Sequence, residues 1–284
     1  MASETLTLGA VAYDAKVVTI WDGFLQWFRS HGLPFDYVLY TNYERQVEGL
    51  FAGEHDVAWN SPLAWLQSER LAARRGRAAR AIAMRDTDRD LRSAILVRAD
   101  GPVTSLEALR GRRVGVGAWD SPQATILPML HLAEAGIDPT RECSLVRHDV
   151  LVGKHGDHIG GERDAVRALI AGDVDAACVL DANVLGFSRD GTISPGLLRT
   201  LAVTDPYDHC NFTVLDGHDP ARAALLDRFS SLLLAQDYGD PAVRPLMDLE
   251  GLKAWKPGRT EGYAALARAI DRFHSIDPWL EAQR

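Results

Sequence analysis

Cysteine is scarce: Cys143, Cys178 and Cys210 are the three in 284 residues, and no two are closely spaced. That odd, scattered count excludes a disulfide framework and suits a reducing compartment. No uncharged apolar run approaches the ~18 residues a membrane span needs, which excludes membrane insertion through such a helix. The N-terminus carries Glu4 and Asp14 where a secretion signal would have a basic segment and then an apolar run. The expected location is therefore the cytoplasm. A positive charge balance is missing too: 31 Lys+Arg against 39 Asp+Glu leave a net charge of −8. Nucleic acid is excluded as a main partner, because phosphate backbones need a concentrated basic surface. The one basic run, from Arg70 to Arg80, reads as a solvated helix end and loop. The Gly-Lys-Ser/Thr of a P-loop, a G-x-S-x-G elbow and an HExxH helix are all absent.

What remains is an ordinary globular composition, 46% apolar and 25% charged, long enough for one or two domains. Strand-like and helix-like segments alternate. Strands are expected at residues 5–12, 35–41 and 55–59, with helices at 16–31, 43–52 and 62–73 between and after them. Two strands at 77–85 and 92–98 are joined by a turn at 86–90, and a short helix follows at 106–111. A second alternating run comes next: strand 113–118, helix 122–135, strand 143–148, helix 162–171 and strand 175–180. Strands at 198–204 and 211–215 lead into a mostly helical tail, with helices at 223–236 and 263–273. This is the pattern of α/β layers with parallel strands.

An internal echo points to two similar lobes. Ala52-Gly-Glu-His-Asp-Val-Ala58 and Ala171-Gly-Asp-Val-Asp-Ala-Ala177 share the order Ala-Gly-acid-x-Asp-apolar-Ala. Each ends a helix at Gly, turns through Asp and starts a buried strand. Ligands of open α/β sheets sit beyond the carboxyl ends of strands. The equivalent ends here are Trp59-Asn60-Ser61-Pro62 and the segment from Val179 through Asp181 to Asn183, expected to face a cleft between the lobes. Trp59, Trp65 and Trp119 are the aromatic ligand candidates, whereas Trp21, Trp27 and Phe28 read as core.

Two further stretches carry chemistry. At Gly115-Val-Gly-Ala-Trp-Asp-Ser-Pro-Gln-Ala-Thr125 a strand runs into a helix start, with Ser121 as N-cap and Pro122 at the first helical position. It is either an ordinary capped helix or an anion site, and Asp120 opposes a highly charged anion. The stretch from Asp149 to Glu162 holds His155, His158, three acidic groups, Lys154 and four glycines. His155, His158 and Glu162 could hold a divalent metal, completed by His148, His209 or Cys210, although no cofactor is the simpler expectation. In Tyr207-Asp-His-Cys-Asn211, neighbouring His209 and Cys210 are expected to point in different directions and so to form no dyad.

Three segments resemble the phosphate/phosphonate-binding proteins of ABC transporters. They are Asp56-Val-Ala-Trp-Asn-Ser-Pro-Leu-Ala-Trp65, Leu106 through Arg113-Val-Gly-Val-Gly117, and His158 through Gly172-Asp-Val-Asp-Ala-Ala177. The resemblance implies a two-lobed type 2 periplasmic-binding-protein-like α/β fold. Each lobe would be a central mostly parallel sheet flanked by helices, joined by two hinge strands near Arg92–Arg98 and Asn211–Leu215. Lobe 1 would comprise residues 1–98 plus 211–284, and lobe 2 residues 99–210. It implies an oxyanion held at Ser121 and its neighbours, a histidine contact from His155 or His158, an acidic partner at Asp181 for a substrate amine, and a tyrosine at Tyr13. The ligand set is then Tyr13, Trp59, Asn60, Ser61, Trp119, Ser121, Gln123, Thr125, His155, His158, Asp181 and Asn183, closing on a small anionic or zwitterionic metabolite. An ABC permease partner, and a periplasmic or lipid-anchored location, would follow if a secretion signal had been removed. The family's run of small hydroxyl residues is here Ser121-Pro-Gln-Ala-Thr125, with fewer hydroxyl donors. That departure and the dense His/acid loop keep a second reading open: a biosynthetic or degradative enzyme, lyase- or decarboxylase-like, using His155, His158 and Asp181.

Overall fold

The computed structural model describes residues 5–157 and 159–283. In chain order the first elements are β1 (Leu6–Val11), α1 (Lys16–Ser30), β2 (Phe35–Tyr40), α2 (Tyr43–Ala52), β3 (Val57–Asn60), α3 (Pro62–Arg74) and β4 (Ala79–Arg85). β5 (Ser93–Arg98), β6 (Arg113–Val116), α4 (Leu127–Glu134), β7 (Ser144–Arg147), α5 (Gly160–Ala171), β8 (Ala176–Leu180), α6 (Asp181–Arg189) and β9 (Leu198–Val203) follow. The chain then forms β10 (Asn211–Leu215), α7 (Pro220–Leu234), α8 (Arg244–Glu250), β11 (Trp255–Pro257), α9 (Ala264–Phe273) and α10 (Asp277–Ala282).

The chain divides into two units: residues 1–89, 208–262 and 276–284, and residues 90–207 with 263–275. The first unit holds a six-stranded sheet in the order β11-β4-β10-β3-β1-β2, and the second a five-stranded sheet in the order β7-β6-β8-β5-β9. Both sheets are mixed. β1 pairs parallel with β2 and β3, and β6 with β7 and β8, while the remaining pairs are antiparallel. The lobe boundaries expected from the sequence shift accordingly. β5 hydrogen-bonds to β8 and β9, so it is a strand of the second sheet. α9 rejoins the second unit, where Arg268 pairs with Glu134 of α4 at 3.2 Å.

Local chemistry explains the elements. α1 buries Val17, Ile20, Trp21, Phe24, Leu25 and Phe28 at helical spacing and packs them into an aromatic core with Phe35, Phe212 and Phe229. Asn42 caps α2 by accepting the Arg45 N–H at 2.8 Å. In the second sheet, alternate residues of β5 point to opposite faces: Ala94 and Leu96 join one apolar cluster, Ile95 and Val97 the other.

The internal echo has a physical meaning. α2 and α5 both end at a glycine in the left-handed region, Gly53 at φ +74° and Gly172 at φ +81°. Just before β3, Asp56 donates its N–H to Thr7 O at 2.9 Å and its carboxylate accepts the Thr7 N–H at 2.8 Å. Just before β8, Asp175 does the same with Arg113, at 2.8 and 2.9 Å. Each aspartate thus clamps both backbone groups of one residue on the neighbouring parallel strand and sets its register. Two steps on, Gly9 pairs with Ala58 and Gly115 with Ala177. A Cβ on Gly9 would meet the His55 ring at 2.5 Å, and one on Gly115 would meet Val174 at 3.2 Å. His55 therefore occupies the place of an apolar valine.

That position leaves His55 3% exposed, and burial lowers its pKa from the ordinary 6.5 to about 4. Tyr40 Oη lies 3.0 Å from Nδ1, and Nε2 has no hydrogen-bond partner. The unfolded chain takes up this proton before the folded one, so stability is full above pH 6.5 and falls as pH drops toward 4. The shift corresponds to about 3 kcal/mol. Chemical denaturation across this range should show that His55→Val, which copies Val174, flattens the acid limb relative to wild type; parallel pH profiles would count against the buried neutral imidazole. Asp56→Ala should cost about 1–3 kcal/mol, because it strips the Thr7 N–H of its acceptor inside the sheet. Asp175→Ala should behave alike, and an unchanged urea midpoint in either variant would contradict the clamp.

Candidate functional site

The polar groups singled out in the sequence converge at the carboxyl ends of β6 and β8 in the second unit. β6 ends close to Gly117, whose missing Cβ lets the next helix start fold over the strand: a Cβ there would lie 2.8 Å from that of Ala124. Ser121 is the N-cap, its Oγ accepting the Ala124 N–H at 3.2 Å, and Pro122 takes the first helical position. Residues Pro122–Ile126 form a π-helical turn before α4, with the Leu127 N–H bonded to Pro122 O. The Thr125 hydroxyl donates to Ala118 O at 2.8 Å, and the Ser121 N–H to the same carbonyl at 2.9 Å.

The loop after β7 is built onto this helix start. Asp149 accepts the Trp119 N–H at 3.1 Å, and Asp120 accepts the Gly153 N–H at 2.5 Å. The Gln123 amide donates to Gly156 O at 2.6 Å. Leu151, Gly153, His155 and Gly156 all have positive φ, so the loop is tightly coiled. At Gly156, φ is +79° and a Cβ would meet Ser121 Oγ at 2.3 Å, so no other residue fits while the loop keeps this place. At the start of α5, Glu162 Oε2 accepts the Leu180 N–H at 2.8 Å and the Asn183 amide at 2.9 Å, tying the end of β8 to α6.

Asp120, Ser121, Gln123, Thr125, His155 and Glu162 are all buried. Burial raises the Glu162 pKa, and the Asn183 amide, the Leu180 N–H and the Gln123 amide oppose that rise. Oε1 of Glu162 and Oε1 of Gln123 have no hydrogen-bond partner. Several of the helix start's own donors are engaged within the chain, namely the Ser121 and Ala124 N–H groups and the Thr125 hydroxyl, and the Pro122 nitrogen carries no hydrogen to donate. The Gln123 N–H, at the second helical position, has no intrahelical acceptor. This arrangement can hold a ligand with few negative charges through few, well-oriented groups.

The other expected residues take different places. Trp59 is 4% exposed, its ring packed on Phe212 and Trp255 at 4.6 and 5.8 Å, with the Arg85 guanidinium 5.3 Å from its centre. It is core, and so is Trp65, buried in α3. Alternation alone gave no means of telling an inward strand-end indole from a ligand platform. The Asn60 side chain is consumed by Gln46 at 2.7 Å, Ser68 at 3.1 Å and Thr213 at 2.9 Å, which holds β3 to α2, α3 and β10. Ser61 caps α3 by accepting the Ala64 N–H. Tyr13 is half-buried, with Lys16 Nζ 5.8 Å from its ring centre. Asp181 is exposed and opens α6. Trp119 is 41% exposed. His158 lies outside the described residues.

Of the expected metal ligands, His155 and Glu162 lie within the described residues. Glu162 is turned to Leu180 and Asn183, and among the described residues no three-ligand group joins it to His155. His209 and Cys210 do come together, with Nδ1 3.1 Å from Sγ. The expectation that neighbours diverge fails because residues 208–210 lie outside any strand, where alternation does not apply. Asp88 lies 3.7 Å from the same Nδ1, but both its oxygens are held by Arg85 at 2.6 and 2.8 Å, and that positive charge opposes a cation.

Residues 10–263 match the family described as the phosphonate periplasmic substrate-binding protein of ABC transporters. The chain belongs to that family. No curated protein matches the sequence significantly. Among solved structures, PhnD1 from Prochlorococcus marinus in complex with methylphosphonate superposes with a TM-score of 0.72 at 16% identity, covering 96% of this chain and 99% of that one. A Xanthomonas citri protein bound to ATP gives 0.71 at 20% identity, covering 95% and 99%. A binding-protein component of a Pseudomonas aeruginosa ABC phosphonate transporter gives 0.60 at 12% identity, covering 99% of each chain. These likenesses establish the type 2 periplasmic binding protein fold.

Gly156→Ala tests the site's construction. The substitution should cost about 1–3 kcal/mol, from strain at positive φ and the clash with Ser121 and Gln123. It should also weaken ligand binding, read by calorimetry with whichever ligand stabilises the wild type. Wild-type stability and affinity together would contradict the packed loop.

Proposed function

We propose that this protein is the solute-binding component of an ABC-type uptake system. Its solute is a small anion or zwitterion, phosphonate-like or carboxylate, seated at the Ser121–Thr125 helix start of the second unit. One observation carries the reading: buried polar side chains, Asp120, Ser121, Gln123, Thr125 and His155, gather around a single helix N-terminus at the carboxyl end of a parallel strand. A helix N-terminus favours negative charge through its unpaired N–H groups and its dipole. Membership of a phosphonate-binding family and the methylphosphonate held by the Prochlorococcus relative support the same ligand class.

The charge balance of the site narrows the class. Asp120 is buried next to the cap, and several nearby donors already have partners within the chain. A dianionic phosphate would face the carboxylate with too few donors to offset the repulsion. A monoanion, or a zwitterion whose cationic end meets a carboxylate, fits better. Asp181, exposed at the start of α6, is the residue we assign to such a cationic end, with Asn183 beside it.

Binding is tested by thermal unfolding and calorimetry with phosphate, methylphosphonate, an aminoalkylphosphonate, a sulfonate and small carboxylates. A true ligand at one hundred times its Kd should stabilise the protein by about 2.7 kcal/mol, a shift of several degrees in Tm. The singly charged or zwitterionic members should outrank phosphate, and Gln123→Ala should weaken them. If no member of the panel moves the midpoint, the reading fails; if phosphate binds best, the charge argument fails.

A further inference from the structure

A cavity lies in the second unit, apart from the loop that carries His155. Its volume is about 220 Å³, and its walls are apolar: Val116 of β6, Ile126 and Met129 around the start of α4, Leu145 of β7 and Phe273 at the end of α9. Three polar side chains line it as well. The Thr125 hydroxyl is already bonded to Ala118 O. Ser275 Oγ is a buried atom with no hydrogen-bond partner. Arg147 supplies the lining's one positive charge, its side chain 56% exposed and 3.5 Å from Asp149. The indole of Trp119, 41% exposed, completes the lining.

We propose that this cavity is a binding site for a small aryl-alkanoate, an aromatic ring on a short arm ending in one carboxylate. The volume argument sets the size. An apolar cavity of about 150 Å³ accepts benzene, so about 220 Å³ takes a ring together with a short arm. The ring regains dispersion contacts that the apolar walls lack while the cavity is open to water. The carboxylate matches the planar fork of Arg147, exchanging with the exposed Asp149 carboxylate, and gives the buried Ser275 hydroxyl an acceptor. A single guanidinium already shared with Asp149 does not suit a polyphosphate, and apolar walls do not suit a sugar. The cavity borders the Ser121 helix start at Thr125, but Arg147, Met129 and Phe273 are not part of that arrangement, so substitutions at them separate the two sites.

Phenylacetate titrated into the full chain by calorimetry tests the site, with phenethylamine as the matched cation. Phenylacetate should bind saturably at one site below ~10 mM, and phenethylamine should not. Arg147→Ala should weaken phenylacetate by about three- to fivefold, as expected for a partly exposed charge. Met129→Trp should fill the cavity and abolish binding, with Ile126→Phe as the second filling variant should the first not fold. Gln123→Ala, on the helix start, should leave phenylacetate affinity unchanged. The proposal is overturned by absence of saturable binding, by equal affinity for phenethylamine, or by binding that survives a folded filling variant. Loss of phenylacetate in Gln123→Ala with retention in Arg147→Ala would move the ligand to the other site and overturn it equally.

Discussion

The clamp formed by one aspartate on both backbone groups of a neighbouring strand residue is the interaction on which each unit's sheet depends. Asp56 on Thr7 and Asp175 on Arg113 set the register of the parallel pairs β1–β3 and β6–β8. These parallel strands are not aligned by a tight turn, since two helices and a strand separate each pair, so register has to come from contacts at the strand ends. A side chain that reads an N–H while its own N–H reads the carbonyl supplies that information over two bonds. The carboxyl ends of β6 and β8, which carry the helix start and the Glu162–Asn183 tie, are positioned by this choice of register at the opposite ends of the same strands.

The same clamp explains why the duplication was visible in the sequence. Ala-Gly-acid-x-Asp-apolar-Ala encodes a left-handed helix stop, a clamp and a buried strand, each with a strict residue requirement. Helix and strand positions followed from periodicity because the elements are amphipathic or fully buried, and the helix 43–52 and strand 211–215 have the predicted bounds. Less legible were the features that depend on distant partners. β5 belongs to the second sheet because of β8 and β9, and α9 returns to the second unit through contacts with α4; neither partner is near in sequence. α6 and α8 are short and weakly periodic, and β11 is three residues long.

Site residues divided along the same line. Those whose role is set by local geometry were recognisable: Ser121 as a cap, Pro122 at the helix start, and the glycines of the following loop. Those whose role is set by what lies across the sheet were not. Trp59 and Asn60 sit at a strand end where a ligand contact was expected, yet one fills the aromatic core and the other joins four elements through its amide. His209 and Cys210 meet because the chain there leaves regular structure, which no spacing rule covers.

The π-helical turn at Pro122–Ile126 separates two demands that one continuous helix would have to reconcile. A π turn accommodates one residue more than the regular ladder, and that residue offsets everything before it by roughly a quarter turn around the axis. The polar positions 121–125 can therefore face in a direction of their own, while Leu127, Leu130 and Leu132 of α4 keep to the spacing the core requires. With the solute seated at the helix start as proposed above, substitutions that adapt that start to a new solute need no compensating change in α4, so ligand choice and core packing can vary separately along a single helix.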